Sequence, residues 1–167
     1  MTKILIFADS HTDIDTMSNI VDIQKPDVII HLSDHITDAE QLKKKYPNIQ
    51  MYNVLGNTDT KNEDEEWIKF IEICGKRIML THGNIFFNDS TKFEDLTGLI
   101  LRNSNCENAD IILFGHIHTP YLNYAKGKWV MNPGRIGQIS NNDIHATYGI
   151  LKIESGKISW DFIEAGK

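Results

Sequence analysis

The sequence predicts an α/β (α+β) fold in which two packed β-sheets form a β-sandwich flanked by helices. The first observation is that apolar runs alternate with helical patterns up to residue 55, which is typical of parallel strands joined by crossover helices. The second is a change after Pro120 to short strand-like segments separated by turns, which indicates antiparallel hairpins. A chain of 167 residues is long enough for one core, so we expect a single domain over residues 1–167.

The first half of the chain reads as strand, helix, strand, helix, strand. The apolar run of residues 4–8 predicts a strand buried on both faces, residues 27–32 predict a second apolar strand, and residues 49–55 predict the third strand. Between the first two runs, apolar residues recur at helical spacing from Ile14 to Ile23. Thr37 and Glu40 match the capping-box pattern, which predicts that the second helix starts at Thr37.

The second half predicts hairpins around one more helix and one more buried strand. Thr91 and Glu94 match another capping box, so a helix is expected from there towards Asn105. The apolar run 110–114 predicts the next strand. The hairpins are predicted to pair residues 67–74 with 77–81, 121–124 with 129–131, and 147–153 with 158–163.

Composition narrows the classes of function. The chain has 23 acidic and 17 basic residues and a net charge of −6, which disfavours nucleic acid and anionic membranes as partners. Cys74 and Cys106 are far apart and form no C-x-x-C, so neither a disulfide framework nor a thiolate zinc site is indicated. The apolar run at the N-terminus is too short for a signal peptide or a membrane span, so we expect a cytoplasmic protein.

Five predicted strands end in side chains that can bind metal ions. These side chains are Asp9, His11, Asp34, Asn57, His82, His116 and His118. Ligands of open α/β sheets bind just outside the carboxyl ends of the strands, so such side chains can converge there. Chance is the alternative, because loops are polar and a single His-x-His is common. In an extended segment, His116 and His118 would point to the same side.

The types of ligand indicate transition metals. Carboxylate, amide and imidazole groups without thiolate suit Mn, Fe, Co, Ni or Zn better than Ca or Mg. Seven side chains exceed what one four-coordinate ion needs, whereas two ions about 3.5–4 Å apart would use all of them if one carboxylate bridged. Such ion pairs polarise a phosphoryl oxygen and acidify a bridging water, giving a hydroxide nucleophile at neutral pH.

The same residues lie in five blocks that follow one another along the chain. The blocks are Asp9-Ser10-His11, Ser33-Asp34, Gly56-Asn57-Thr58-Asp59, Thr81-His82-Gly83 and Gly115-His116-Ile117-His118. In this order they resemble the calcineurin-like metallophosphoesterases, whose blocks read D-x-H, G-D, G-N-x-D, G-H or H-G, and G-H-x-H. The size of the chain and the later Asn132-Pro133-Gly134 are most similar to the small YfcE-like phosphodiesterases, a branch related in fold to a retromer subunit.

The resemblance implies a metal-dependent phosphodiesterase with a dinuclear centre, manganese being the expected ion. It assigns one ion to Asp9, His11, Asp34 and His118. It assigns the other ion to Asp34, Asn57, His82 and His116, with Asp34 bridging. Asp34, Asn57 and His116 are also expected to act in catalysis. The substrate would be a small phosphodiester or phosphomonoester, and self-association of the chain is left open.

Two departures from the family pattern affect this expectation. Thr58 stands where many members have a histidine that serves as leaving-group acid or phosphate ligand. A hydroxyl can donate a hydrogen bond to a phosphate oxygen but is a poor proton donor at neutral pH. We therefore expect a preference for esters with acidic leaving alcohols, such as aryl phosphodiesters. Ser33 replaces the usual glycine before Asp34, and nothing suggests that it abolishes the site.

Two other classes of function are weighed against the enzyme. A scaffold like the retromer subunit would use the fold as a binding surface with little hydrolysis. The intact ligand set favours the enzyme, because a pure scaffold need not keep every metal ligand. A nuclease is disfavoured by the acidic balance and by the short chain.

Several further residues have an ordinary interpretation beside a functional one. Asp59 either orients a ligating imidazole or serves as a turn residue, and His35 could reach substrate but is expected to be a loop histidine. His31 is expected to be a satisfied core histidine, and nothing recommends His145. Arg135 could contact phosphate, but a surface arginine is the safer interpretation. The aromatic residues expected to be core or an oligomer contact are Trp67, Phe70, Phe86 and Phe87.

Overall fold

The computed structural model describes residues 1–60, 66–88, 90–103, 106–137 and 145–166. It contains two five-stranded β-sheets. Elements are numbered in chain order. The first sheet contains β1 (Thr2–Phe7), β2 (Val28–His31), β3 (Gln50–Asn53), β9 (Thr147–Glu154) and β10 (Lys157–Glu164). Its strand order is β10-β9-β1-β2-β3. β1, β2 and β3 are parallel, as the alternation of strands and helices predicts.

The second sheet is built mostly from the hairpins of the second half. It contains β4 (Ile68–Ile73), β5 (Lys76–Thr81), β6 (Ile111–Leu113), β7 (Pro120–Ala125) and β8 (Lys128–Pro133). Its order is β4-β5-β6-β8-β7, with β6 parallel to both of its neighbours. The predicted hairpins β4–β5, β7–β8 and β9–β10 are confirmed.

Three α-helices in the described part of the chain cover the outer faces. They are α1 (Ile14–Gln24), α2 (Ile36–Lys45) and α3 (Leu96–Leu101), the last preceded by a short 3₁₀ turn at Phe93–Asp95. Asp13 caps α1 by accepting a hydrogen bond from the Thr16 amide at 3.2 Å. None of the helices in this part of the chain is both long and apolar enough to cross a membrane.

The capping box predicted at Thr37 is wrong. α2 begins one residue earlier, at Ile36, and the preceding His35 has a left-handed backbone and makes no side-chain cap. The Ile36 amide instead donates to Asp59 Oδ1 at 2.8 Å. The cap therefore comes from 23 residues further along the chain, which a local pattern cannot reveal.

The capping box predicted at Thr91 is also wrong. Thr91 Oγ1 accepts a hydrogen bond from the Asn88 amide at 3.1 Å, which closes a turn outside the helix. α3 starts only at Leu96 and ends at Leu101, well short of the predicted end. Asn105 itself lies outside the described residues.

The apolar core lies in three layers. Buried residues of both sheets meet in the middle, among them Ile6, Ile30, Leu80 and Leu113. α1 and α2 cover the outer face of the first sheet, and α3 covers that of the second. The expected core role is confirmed for three aromatic residues in the layer under α3: Phe87 is buried there, and Phe70 and Phe86 pack against it. The chain thus forms a sandwich with helices on both sides.

Candidate metal centre

The candidate ligands lie on loops that turn sharply after the strands end. Asp9, His11, His116 and His118 all have positive φ angles, of 53°, 44°, 72° and 57°. His116 and His118 are therefore not in an extended segment, so the extended geometry on which their shared direction was predicted is wrong. The left-handed turn after β6 directs them towards different partners.

One group of ligand atoms combines Asp9, His11 and His118. Their candidate ligand atoms all lie within 4.8 Å of one another. His118 Nε2 is 3.3 Å from Asp9 Oδ1, and the rings of His11 and His118 meet edge to face with centroids 5.6 Å apart. These three residues are also assigned to one ion by the family resemblance.

A second group combines Asp9, Asp34 and His82, again with ligand atoms within 4.8 Å of one another. His82 Nε2 is 3.5 Å from Asp34 Oδ1 and 3.0 Å from the side-chain oxygen of Asn57. The His116 ring lies against the His82 ring, with centroids 5.1 Å apart. The structure therefore brings all seven predicted ligands to one place, where the carboxyl ends of the two sheets meet.

The hydrogen bonds around His82 show that this place suits a cation. His82 Nδ1 lies 2.8 Å from the carbonyl oxygen of Leu32, so this nitrogen carries the proton and donates. In the neutral ring, Nε2 is then an acceptor, and it faces the oxygens of Asn57 and Asp34. Acceptors at such separations repel one another unless a positive charge lies between them.

Asp9 supplies a further unsatisfied acceptor. Its Oδ2 accepts a hydrogen bond from the His116 amide at 3.2 Å, which ties the first sheet to the loop after β6. Its Oδ1 is buried and has no hydrogen-bond partner among the described residues. Buried carboxylate oxygens without a partner are rare because desolvation is costly. Divalent metal ions fit this set of donors.

The protonation state of His11 agrees with metal ligation. Burial lowers the pKa of His11 below its usual value, and the neighbouring His35 and His118 lower it further. The Asp9 carboxylate, the second largest influence, raises the pKa and opposes this shift. The neutral imidazole is the form that binds a metal.

Asp59 fixes two ligand loops through backbone amides. Its Oδ2 accepts from the Gly56 amide and its Oδ1 from the Ile36 amide, both at 2.8 Å. It is thus a turn residue, one of the two roles considered for it. The carboxylate joins the loop of Asn57 to the loop of Asp34.

Asn132 is a supporting residue whose role the sequence patterns did not reveal. It is fully buried, its amide group donates to the Gly115 carbonyl at 2.6 Å, and its side-chain oxygen accepts from the Gly134 amide at 2.7 Å. It thereby holds the loop of His116. Only its position in an Asn-Pro-Gly turn could have drawn attention to it.

The remaining histidines behave as expected. His31 is fully buried, both ring nitrogens have hydrogen-bond partners, and burial lowers its pKa to about 4. His35 is half-buried with its ring against that of His11, at a centroid distance of 5.1 Å. His145 is exposed.

Arg135 corrects the expectation of a surface arginine. It is fully buried, because its backbone runs beside the end of β1, where the following amides of Ile136 and Gly137 donate to the Ala8 and Asp9 carbonyls. Its guanidinium nitrogens have no hydrogen-bond partner among the described residues. Burial lowers the pKa of Arg135, and the Asp9 carboxylate raises it.

The fold and these ligands define a metal-dependent phosphoesterase. The calcineurin-like phosphoesterase superfamily domain matches residues 2–156, and the chain belongs to this family. A probable metallophosphoesterase of Mycoplasma pneumoniae is 28% identical over 159 residues, covering 95% of this chain and 94% of the relative. The family implies divalent metal ions, and the two ligand groups supply residues that can hold them.

Solved structures share the fold. A predicted phosphoesterase from Streptococcus pneumoniae superposes with a TM-score of 0.73 and 23% identity, covering 98% of this chain and 89% of that one. A single mutant of Vps29 from Entamoeba histolytica superposes with a TM-score of 0.71 and 14% identity, covering 97% of this chain and 98% of that one. A structure described as a novel archaeal phosphodiesterase superposes with a TM-score of 0.67 and 19% identity, covering 96% of this chain and 99% of that one.

Proposed function

We propose that this protein is a phosphodiesterase with a dinuclear metal centre. The proposal rests on the convergence of ligand atoms between the two sheets. The buried Oδ1 of Asp9 has no hydrogen-bond partner among the described residues, and Asp34 Oδ1, Asn57 Oδ1 and His82 Nε2 lie close to one another. The ligands would be divided between the ions as the resemblance implies, with Asp34 shared. Asp9 also lies in both ligand groups, so it would stand close to both ions.

Each ligand residue has a role that its surroundings support. When bound, the ion pair supplies Lewis-acid polarisation of a phosphoryl oxygen and an acidified water. Asp34 is held in place by the Thr58 amide, which donates to its Oδ1 at 3.1 Å. Asn57 is exposed at the mouth of the site, where its amide group can donate to a phosphate oxygen as negative charge develops. The ligand types suit a divalent transition-metal ion, and Mn²⁺ is taken from the family resemblance.

A cleft beside the centre supports a substrate with an apolar ester group. It has a volume of about 450 Å³ and is bordered by His116 and His118. Phe93, Leu96 and Ile117 supply apolar surface, and no described residue lining the cleft is Lys or Arg. A substrate with one phosphodiester charge and an aromatic or aliphatic ester group matches this lining better than a polyphosphate.

The proposal is tested by measuring metal content and turnover of the purified protein. We expect about two Mn²⁺ per chain after loading, and hydrolysis of bis-(p-nitrophenyl) phosphate that depends on added Mn²⁺. A chelated sample should lose turnover and recover it when Mn²⁺ is returned. Absence of both bound metal and turnover would contradict the enzyme and favour a binding scaffold with little hydrolysis.

The leaving group should strongly influence turnover because the third block offers no good acid. Thr58 is exposed beside the ligand loops, and its hydroxyl is a poor proton donor. We expect nitrophenyl esters to react at least about 100-fold faster than alkyl esters in the chemical step. Thr58→His should raise the rate for alkyl esters by roughly 10-fold to 100-fold. Single-turnover rates across a series of leaving groups measure this effect.

A matched control is Thr60→His, which adds the same imidazole two residues away on the same loop. This variant should leave the dependence on leaving group unchanged. Similar chemical-step rates for alkyl and nitrophenyl esters in the wild-type protein would contradict the assignment of Thr58.

A further inference from the structure

Three buried polar side chains lie behind the loop that carries Asp9 and His11. Ser10, His31 and Asp38 come from the end of β1, from β2 and from the first turns of α2, and each is at most 1% exposed. Ser10 Oγ is 2.7 Å from Asp38 Oδ2 and 3.1 Å from His31 Nε2. None of the three belongs to the ligand set.

The direction of each hydrogen bond follows from its neighbours. The Ser33 amide donates to His31 Nδ1 at 3.0 Å, so in the neutral ring Nε2 carries the proton and donates to Ser10 Oγ. The Ser10 hydroxyl then has its own proton free to donate to Asp38. The same Asp38 oxygen accepts from the Thr12 amide at 2.8 Å. Ser10 Oγ also lies 3.4 Å from the Asp34 carbonyl oxygen, but the bond to Asp38 is much the shorter of the two.

These bonds hold a backbone that is costly to form. Asp9, His11 and Thr12 have positive φ angles, and so does Ser33 with 50° on the neighbouring loop. Non-glycine residues in this region cost about 1–3 kcal/mol each and persist only where the surroundings hold them. Asp38 accepts hydrogen bonds from Ser10 and Thr12, the residues before and after His11 in the chain, and so fixes the backbone on both sides of His11. His31 links the loop of Asp9 to the loop of Asp34.

The bond pattern excludes a hidden hydrolytic triad. In such a triad the carboxylate orients the histidine and the serine is open to substrate. Here Asp38 bonds to Ser10, and all three side chains are buried. The arrangement can position other residues but cannot attack a substrate.

We propose that Ser10, His31 and Asp38 are positioning residues that preorganise the Asp9, His11 and His118 side of the metal centre. The inference rests on the proposed dinuclear centre. The network acts through the loop of residues 9–12, and the Asp38 carboxylate adds negative charge behind the ion that this loop holds. The ion assigned to Asn57, His82 and His116 depends on it less.

The test is a titration of metal-free protein with Mn²⁺ in which calorimetry measures the binding. The absorption of bound Co²⁺ serves as a second probe. In Asp38→Asn we expect one of the two sites to weaken by roughly 10-fold to 100-fold and the other to weaken by clearly less. Ser10→Ala should show the same selectivity and provides the test if Asp38→Asn does not fold. In a His118→Ala background, where the first site is already lost, Asp38→Asn should have only the smaller effect on the remaining site.

Two controls separate positioning from general loosening. Asp27→Asn makes the same chemical change at a carboxylate that also accepts a backbone amide, from Lys3 at 2.7 Å, and should bind both ions as the wild type does. Leu42→Ala removes a fully buried side chain of α2 and should lower stability without selecting one site.

Each outcome decides a different claim. Equal affinities in Asp38→Asn, Ser10→Ala and wild type would overturn the inference and leave the proposed function intact. Equal weakening of both sites, as general loosening would cause, would overturn it as well. A wild-type protein that binds fewer than two Mn²⁺ would overturn the dinuclear centre itself.

Discussion

Asp34→Ala should lose turnover by roughly a thousandfold or more and retain little Mn²⁺. The residue is 4% exposed, and its Oδ1 lies near both His82 Nε2 and the Thr58 amide. Removing the side chain therefore takes an oxygen from the middle of the ligand set. A loss of about 4 kcal/mol in transition-state stabilisation corresponds to this factor. Metal analysis and hydrolysis of bis-(p-nitrophenyl) phosphate with added Mn²⁺ measure both effects.

The control for this substitution is Asp27→Ala. Asp27 also accepts a backbone amide but lies at the other end of β2, away from the ligands. Its variant should keep metal and turnover. Unaltered turnover in Asp34→Ala would show that the catalytic centre lies elsewhere.

Gly56→Ala should disable the centre although no ligand is changed. A Cβ at this position would lie 2.1 Å from Asp34 Oδ1 and 2.8 Å from the Asp34 amide nitrogen, so the carboxylate or the backbone must move. Overpacking of this kind costs about 3 kcal/mol, and a displacement of about 1 Å in a reacting centre can cost roughly 100-fold in rate. We expect a fall in melting temperature of roughly 6–12 °C. We also expect kcat to fall by roughly 100-fold.

Gly98→Ala is the matched control. Gly98 lies within α3, and a Cβ there would meet no atom within 4 Å. This variant should be more stable by about 0.5–1 kcal/mol because alanine favours helix, with turnover unchanged. Normal activity in Gly56→Ala would mean that Asp34 does not need its observed position.

The sequence was sufficient for elements that depend on local patterns. The hairpins of the second half confirm their predictions because turns at Gly75, Gly127 and Gly156 fix their pairing. The parallel strands β1 and β2 follow from apolar runs that a doubly covered sheet buries, whereas β3 lies at the edge of the sheet and is at most half-buried. The candidate ligands were predicted from the polar side chains that follow the strands, and the family resemblance divided them between two ions.

Features that depend on distant contacts could not be read from local patterns. The start of α2 is set by Asp59, so the nearby Thr37 misleads a local capping rule. The directions of His116 and His118 depend on left-handed backbone angles after β6. A sequence pattern does not predict such angles at residues other than glycine. Arg135 is buried because the chain returns to the end of β1, and nothing in the residues around it indicates that contact.

The division of the ligands between two sheets couples metal supply to folding. Asp9, His11, Asp34 and Asn57 follow strands of the first sheet, whereas His82, His116 and His118 follow strands of the second. Under the proposed function, each ion is a reversible cross-link that exists only when the sheets are docked. By mass action, free metal at about 100 times its dissociation constant favours the folded chain by about 2.7 kcal/mol. The resistance of this protein to heat and proteolysis would then follow the metal concentration around it.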